Sequence, residues 1–579
     1  MRSSPKEIVG LPKRNVSTIT VMAALFAVAA FVLPSGRAGA QPASDAPRIA
    51  ASAEVSILGV DVVVTDRNGK PVHGLTAADF ELLHGGKPVV ITNFHEERRE
   101  ETSALPGAPA TQVASGAVPA GAPAEVSRQP RKVVVFVDRL YLPEPTRRRE
   151  LFDGVKEFLA KALTGPGDEA MVVSWGDSVR VVRTFTDDLA ALDETLDVVA
   201  RRVARLDAEA NEIAELAARD LWFDSIAADP RVGGTVGSTE TSREIGTLQA
   251  YGMMKAKVTA LRGLVALMAG MEGRKSLVLV AHHFGRFPGR EFHVGPRSAP
   301  VGSPKERDGK PLLEELAAAA NASGVTLYGI YPYERVAFAS AADSAALNPT
   351  TSSPAYGSGF DAIWTNEMAG LDFVTTKTGG STAGHPGELP RFLDQVASDL
   401  GSYYSLGFPA SGTTKPEAVK VRVKREGLTV RTRTTVAERT AEERLTDRAL
   451  ANLFAPDANS RIGISVAAGE AKPEGKKYRI PLEVRIPLGA LVRVPGPAAA
   501  KGKFSVFVVA ATPKGDFSEV VRRRQEFEVK RGEEAKADAS HLTYTLEVES
   551  DAPAPRISLG VWDEIGGEAG FALVGKRRG

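Results

Sequence analysis

Val133-Val134-Val135-Phe136-Val137-Asp138-Arg139-Leu140-Tyr141-Leu142 decides the reading of this chain. Five consecutive apolar residues, four of them β-branched, describe a strand buried on both faces, which is how a central parallel strand reads. The run ends abruptly in an aspartate. In open α/β sheets, ligands sit just outside the carboxyl ends of such strands, so Asp138 marks where a site belongs.

The rhythm around this strand is alternating strand and helix. A helical pattern over 146–163 carries Leu151, Phe152, Val155, Phe158 and Leu159 on one face and stops at Gly165-Pro166-Gly167. Strands follow over 169–175 and 179–185, then a helix from about 187, capped by Thr186-Asp187-Asp188. A Gly/Ser/Thr-rich break over 232–242 precedes a helix over 244–271. Strand 276–282, a basic loop, helix 312–323, strand 325–331, a polar insertion over 337–360, two further helices and a closing strand over 403–408 complete the unit. Such βα repetition predicts a doubly wound, mostly parallel sheet with helices on both faces.

Two β-rich regions flank it. In the first, over 54–98, Val60, Val62 and Val64 alternate with Asp61, Val63 and Thr65, and Asp66-Arg67-Asn68-Gly69 makes a turn. Residues 99–130, rich in Ala, Pro and Gly, read as a linker. Residues 418–437 read as a β-hairpin turning at Glu426-Gly427, placed to complete the first β-region as a sandwich. From 440 to 579, regular turn-separated strands predict a second β-sandwich.

Composition narrows the function classes. At 579 residues the chain is too long for one core, and about three to four domains is the natural expectation. A formal net charge of +1 gives no basic face of the kind nucleic acid demands. Residues 1–40 have a basic start, an apolar stretch over 16–33 and Ala38-Gly39-Ala40 before Gln41. That is the pattern of a secretion signal cleaved after Ala40, with no later stretch apolar enough to span a membrane. The chain has no cysteine, which removes disulfides, thiol nucleophiles and thiolate metal sites together. Export without cysteine suits a bacterial periplasmic or secreted protein.

Several segments together resemble the von Willebrand factor A–related domain proteins of bacteria, of the exported type found in acidobacteria. They are the run from Val60 through Thr65-Asp66 and Gly69-Lys70-Pro71-Val72 to Gly74-Leu75-Thr76-Ala77-Ala78-Asp79-Phe80, Gly85-Gly86-Lys87-Pro88-Val89, Gly273-Arg274-Lys275-Ser276, Thr378-Gly379-Gly380 and Tyr403-Tyr404-Ser405-Leu406-Gly407-Phe408. The resemblance spans about 54–437 and implies a binding module rather than an enzyme. It also implies a Mg²⁺ or Mn²⁺ on top of the sheet, held by Asp-x-Ser-x-Ser, a later threonine and an aspartate after the fourth strand, oxygen ligands that suit a hard cation. Here Asp138 matches, but Leu140 and Leu142 stand at the serine positions. Ala281-His282-His283 replaces the second aspartate, and only Thr235 or Thr186 can stand in for the threonine. The site reads as degenerate, with no resident cofactor and Asp138 with Thr235 as the residual candidate for a weak Mg²⁺ or Mn²⁺.

The expected binding face is the sheet top, formed by loops 139–145, 232–242 and 282–310, with Asp138, Arg139, Tyr141, Thr235, His282, His283 and Arg286 on it. Its expected partner is a protein or a cell-envelope component. A second reading is a metal-dependent adhesive or hydrolytic activity using Asp138 with His282, His283 or His293. Adjacent strand-end histidines, however, are expected to diverge. Gly270–Ser276 lacks the spacer of a phosphate loop and precedes a strand, and no Gly-x-Ser-x-Gly elbow occurs.

Overall fold

A computed structural model describes residues 21–22, 57–98, 128–140, 142–143, 145–176, 178–202, 236–290, 307–332, 354–455, 460–475, 477–512 and 517–575. The chain divides into two compact units, Ser52–Asp447 and a second made of Met1–Ala51 with Arg448–Arg578. The expected signal segment, apart from Val21–Met22, and residues 99–127 of the expected linker lie outside the described residues, as do residues 337–353 of the expected polar insertion.

The first unit begins with strands β1 (Ile57–Thr65), β2 (Phe80–His84) and β3 (Asn93–Glu97). The Asp66 turn is closed by its own side chain, which accepts the Asn68 and Lys70 amides at 2.8 and 2.9 Å. The α/β region then supplies β4 (Arg131–Asp138), α1 (Pro145–Ala162), β5 (Glu169–Trp175), β6 (Val179–Thr186), α2 (Leu189–Arg202), α3 (Val236–Ala269), β7 (Arg274–Val280), α4 (Lys310–Ser323), β8 (Val325–Ile330), α5 (Pro354–Lys377), β9 (Thr382–Ala383) and α6 (Leu389–Gly401). The break expected at 232–242 is helical from Val236: serine and threonine are at home in a helix's first turns.

The central sheet runs β9-β8-β7-β4-β5-β6. All pairs are parallel except β5 with β6, with Val133 opposite both Ala170 and Ser276. Counted along this sheet, the order is third, second, first, fourth, fifth, sixth, so chain direction across the sheet reverses between β4 and β7. That reversal opens a crevice at their carboxyl ends, the topological switch point of a doubly wound sheet. On one face, Val133, Val135 and Val137 pack with Leu151, Phe158 and Val396 in a closed core.

The chain then returns to the first β-region. Strand β10 (Tyr403–Pro409), expected to close the α/β unit, pairs antiparallel with β1 and β3 instead, Leu406 facing both Val60 and Phe94. Its two faces are both buried, so periodicity alone cannot say which sheet it joins. The expected hairpin over 418–437 is also corrected. Strand β11 (Glu417–Val423) pairs with β2, whereas β12 (Thr429–Thr432) pairs with β1, so the two lie in opposite sheets and the Gly427 turn is a sandwich corner. Val60, Val62, Val64, Phe80, Tyr404, Phe408 and Val421 fill the space between. Val63, on the other face of β1, is just as buried, so this strand is covered on both sides.

An ion pair ties the sandwich to the α/β layer. Arg431 on β12 donates both terminal nitrogens to Asp399 on α6, each at 2.7 Å, and the Tyr328 hydroxyl adds a 3.3 Å bond to the same carboxylate. The second unit contains two antiparallel sheets, one built on Lys477–Pro487 and His541–Ser550, the other on Ala499–Ala511 and Arg556–Asp563. Ile480, Val484, Phe504, Val508, Leu546 and Leu559 meet in its core.

Removing one partner of a buried pair strands the other charge. Arg431→Met is therefore expected to cost about 3–5 kcal/mol in chemical denaturation, and Arg431→Met with Asp399→Leu to recover most of it. Equal losses in the single and double variants would show that the pair does not link the layers.

Candidate functional site

Asp138 is fully buried at the carboxyl end of β4. Its Oδ1 accepts the Leu140 amide at 3.2 Å, which folds the chain over the strand end. Its Oδ2 accepts Nζ of Lys257, a side chain only 2% exposed on α3, and the same ammonium donates to the His282 carbonyl just beyond β7. The lysine thus bridges the two strand ends that bound the switch point. An isolated carboxylate is costly in this setting, and a lysine held against it with further acceptors satisfied is the arrangement that makes burial tolerable.

Helix α3 delivers Lys257 from within an apolar stripe. Ala250, Met254, Val258, Leu261, Val265 and Met268 are all buried along it. A lysine within such a stripe is either a stem reaching for water or a counter-ion to something buried. That anomaly was the available signal for Lys257, which sequence reading missed.

His282 and His283 do not diverge. His283 adopts a left-handed backbone, φ 51°, which swings its ring back onto His282 with centroids 4.3 Å apart and planes nearly perpendicular. His282 also stacks on Tyr331 at 5.3 Å, with its Nε2 3.2 Å from the tyrosine hydroxyl. Burial first, and the Lys257 ammonium second, push His282 down to about 3; burial, His282 and Lys257 hold His283 well below its ordinary range. Both are neutral rings in the folded chain.

The segment after them is anchored to α5. The Phe284 amide donates to buried Glu367 at 2.6 Å, the Phe287 amide to Asn366 Oδ1 at 2.8 Å, and Asn366 returns a bond to the Phe287 carbonyl at 3.1 Å. A Cβ at Gly370 would fall 1.9 Å from the Phe284 carbonyl oxygen, so only glycine lets loop and helix approach this closely.

Of the expected face residues, Asp138, His282 and His283 therefore converge on Lys257. Arg139 follows directly, its amide bonded to the Trp175 carbonyl at 2.9 Å. Arg286 stands further out, about half exposed, 3.5 Å from Asp308. Tyr141, Thr235 and His293 lie outside the described residues. Among the described residues no cluster of three or more His, Asp or Glu is placed to hold a metal, and no helix is long and apolar enough to cross a membrane. A cavity at the carboxyl end of β8, between Tyr331 and His385, has a volume of about 20 Å³, room for about one water.

No family model matches the chain, and no curated protein matches it. Solved structures do. The von Willebrand factor domain of the type V pili tip protein Mfa5 from Porphyromonas gingivalis is 12% identical over 47% of this chain and 94% of its own, with a TM-score of 0.19. A von Willebrand factor type A protein from Catenulispora acidiphila is 12% identical over 77% of this chain and 66% of its own, TM-score 0.19. The pilus adhesin SpaC from Lactobacillus rhamnosus GG, in an open conformation, is 11% identical over 78% of this chain and 53% of its own, TM-score 0.22. The chain thus spans about half the length of that adhesin. At these TM-scores the likeness carries no argument, and the fold stands on strand order, register and burial.

Lys257→Met is expected to destabilise the chain by about 3–5 kcal/mol, because it leaves the Asp138 carboxylate buried alone. Adding Asp138→Asn removes that charge while keeping an acceptor for the Leu140 amide, so more than half of the loss should return in the double variant. The histidines give a separate signature. A base whose folded value is depressed contributes stability that is complete above the unfolded value of 6.5 and is lost as pH falls toward 3. Urea unfolding of the chain and of His282→Gln should therefore differ little in slope above pH 6.5 and diverge below it, the difference approaching about 1.4 kcal/mol per pH unit, the slope of one proton, near pH 5. Parallel curves would mean that His282 protonates freely in the folded state.

Proposed function

We propose that this chain is an exported, non-enzymatic protein-binding module of the adhesion type, built on a von Willebrand factor A–like domain whose metal-ion-dependent adhesion site is degenerate. The observation that carries this reading is the Lys257 ammonium between Asp138 and the His282 carbonyl. The tethered cation supplies the positive charge that a bound Mg²⁺ or Mn²⁺ would bring, so the face works without a resident metal. Leu140 and Leu142 in place of hydroxyls fit the same logic, since nothing remains there for them to coordinate.

The chemistry of the face also favours binding over turnover. Its two histidines are packed against each other, His282 also on Tyr331, and take up no further proton near neutral pH. General acid–base work needs a group poised near the operating pH, and these rings are held away from it. The Arg139 and Arg286 loops give the rim a positive character suited to an acidic patch on a protein or envelope component. The signal pattern at 1–40 and the absence of cysteine support a periplasmic or secreted location.

Two measurements test the reading together. Thermal unfolding of the full chain should be unchanged by EDTA, Mg²⁺, Mn²⁺ or Zn²⁺, whereas a native-state ligand at 100 times its Kd would add about 2.7 kcal/mol. Saturable binding to isolated envelope fractions should survive EDTA and weaken about three- to tenfold in Arg286→Glu, the usual scale of a rim charge. Stabilisation by Mg²⁺ or Mn²⁺, or loss of binding in EDTA, would overturn it in favour of a metal-dependent face. Stabilisation by Zn²⁺ alone would point to the histidines.

A further inference from the structure

At the other end of the sheet, where β7 and β8 begin, the β-sandwich and the α/β layer enclose a cavity of about 230 Å³. Segments that stand out in the sequence and have no part in the upper face meet there: 273–275, 378–379 and Ser405 all line it. So do four cationic side chains, Arg274, Lys275, Arg431 and Arg433.

Their charges are not balanced. Arg431 is fully engaged by Asp399. Arg274, only 4% exposed, has one oxygen of Asp61 at 3.4 Å and lies 3.9 Å over the Tyr403 ring. Lys275 and Arg433 have main-chain carbonyls for partners: Met271 at 3.3 Å for the lysine, Asn321 at 2.9 Å and Gly59 for the arginine. The Nε atoms of Arg274 and Arg433 are buried and have no hydrogen-bond partner among the described residues. Asp61 and Asp399 thus face four cations, Asp447 being paired with Arg439 at 2.8 Å, and two buried guanidinium donors are unused. Unsatisfied buried donors of this kind are costly and uncommon in folded proteins. Lys275 registers the imbalance: burial first, and the Arg433 charge second, lower it to about 8 against the opposing pull of Asp447 and Asp61.

We propose that this cavity is a binding site for a small oxyanion, phosphate, sulfate or a carboxylate, held by Lys275, Arg433 and Arg274. The charge calls for an anion, the fork geometry of guanidinium suits planar or tetrahedral oxygens, and the volume admits a small ion rather than a nucleotide. The site is not a phosphate loop, since cationic side chains at the start of β7 and just after β12, not amides at a helix start, do the binding. Asp61, whose side chain is 41% exposed, stands at the mouth as a built-in competitor for the same cations. This site is independent of the upper face and of the function proposed for it.

Isothermal titration of the full chain with inorganic phosphate, sulfate and acetate, each at constant ionic strength against chloride, tests the proposal. Saturable binding is expected, and phosphate at 100 times its Kd should multiply the folded-to-unfolded ratio by about 100. Arg433→Met should weaken binding at least about tenfold. Asp61→Asn, which keeps an oxygen acceptor for Arg274 while removing the competing charge, should tighten it about tenfold in protein whose urea unfolding shows it folded. Saturation by phosphate or sulfate supports a tetrahedral occupant and saturation by acetate alone a carboxylate; both support the site. No saturable binding of any of the three by the unaltered chain would overturn it, as would binding indifferent to both substitutions.

Discussion

The Lys257–Asp138 pair is the constraint around which the upper end of the α/β layer is arranged. The strand order creates a crevice between the ends of β4 and β7, and a buried carboxylate in that crevice requires a counter-charge within reach. Helix α3 supplies it, and the ammonium's second bond to the His282 carbonyl fixes the path of the chain leaving β7. From there the bonds to Glu367 and Asn366 carry the same order across to α5. Among the described residues, the paths of Leu140 and of 282–287 are thus tied to one ion pair through a short series of hydrogen bonds.

How much of this could be read from the residues depended on whether the signal was local. The parallel core of β4 and β7 was legible because a strand buried on both faces shows as an unbroken apolar run. Pairing partners were not. Residues 403–409 have the same two-sided burial whether they join the parallel sheet or the sandwich, and they join the sandwich. Val419–Val423 and Leu428–Val430 alternate as a hairpin would, yet a sandwich corner imposes the same alternation on strands that part company. The histidine pair was misread for a different reason: divergence holds only while the backbone stays extended, and a left-handed non-glycine residue at His283 leaves no mark in sequence. Lys257 did leave one, as a charge in an apolar helical stripe, but the partner that explains it is 119 residues away.

The two ends of the sheet solve the same electrostatic problem in opposite ways. Above, one buried acid meets one buried base, and a carbonyl takes the remaining ammonium bond. Below, Asp61 and Asp399 are outnumbered by Arg274, Lys275, Arg431 and Arg433, and the surplus is absorbed by main-chain carbonyls that are weaker partners than a carboxylate. The sandwich sharpens the lower imbalance, because β1 and β12 lay Gly59, Asp61 and the Asp399-bound Arg431 over strand starts that would otherwise be open to water. A layer added for burial thus also shapes a charged cavity.

A tethered cation and a dissociable one differ in what they allow a binding face to do. A divalent ion occupies its site in proportion to its concentration, and a ligand carboxylate can complete its coordination sphere, so occupancy and partner binding are linked. An ammonium on a helix has unit occupancy at every salt composition, and its three protons are finite: Asp138 and the His282 carbonyl already take two. On the reading proposed above, a face organised this way would recognise its partner through the rim and the packed rings rather than through shared coordination. For a chain proposed to work outside the cytoplasm, where divalent ion levels are set by the surroundings, a counter-charge carried on Lys257 would be present at every divalent ion concentration.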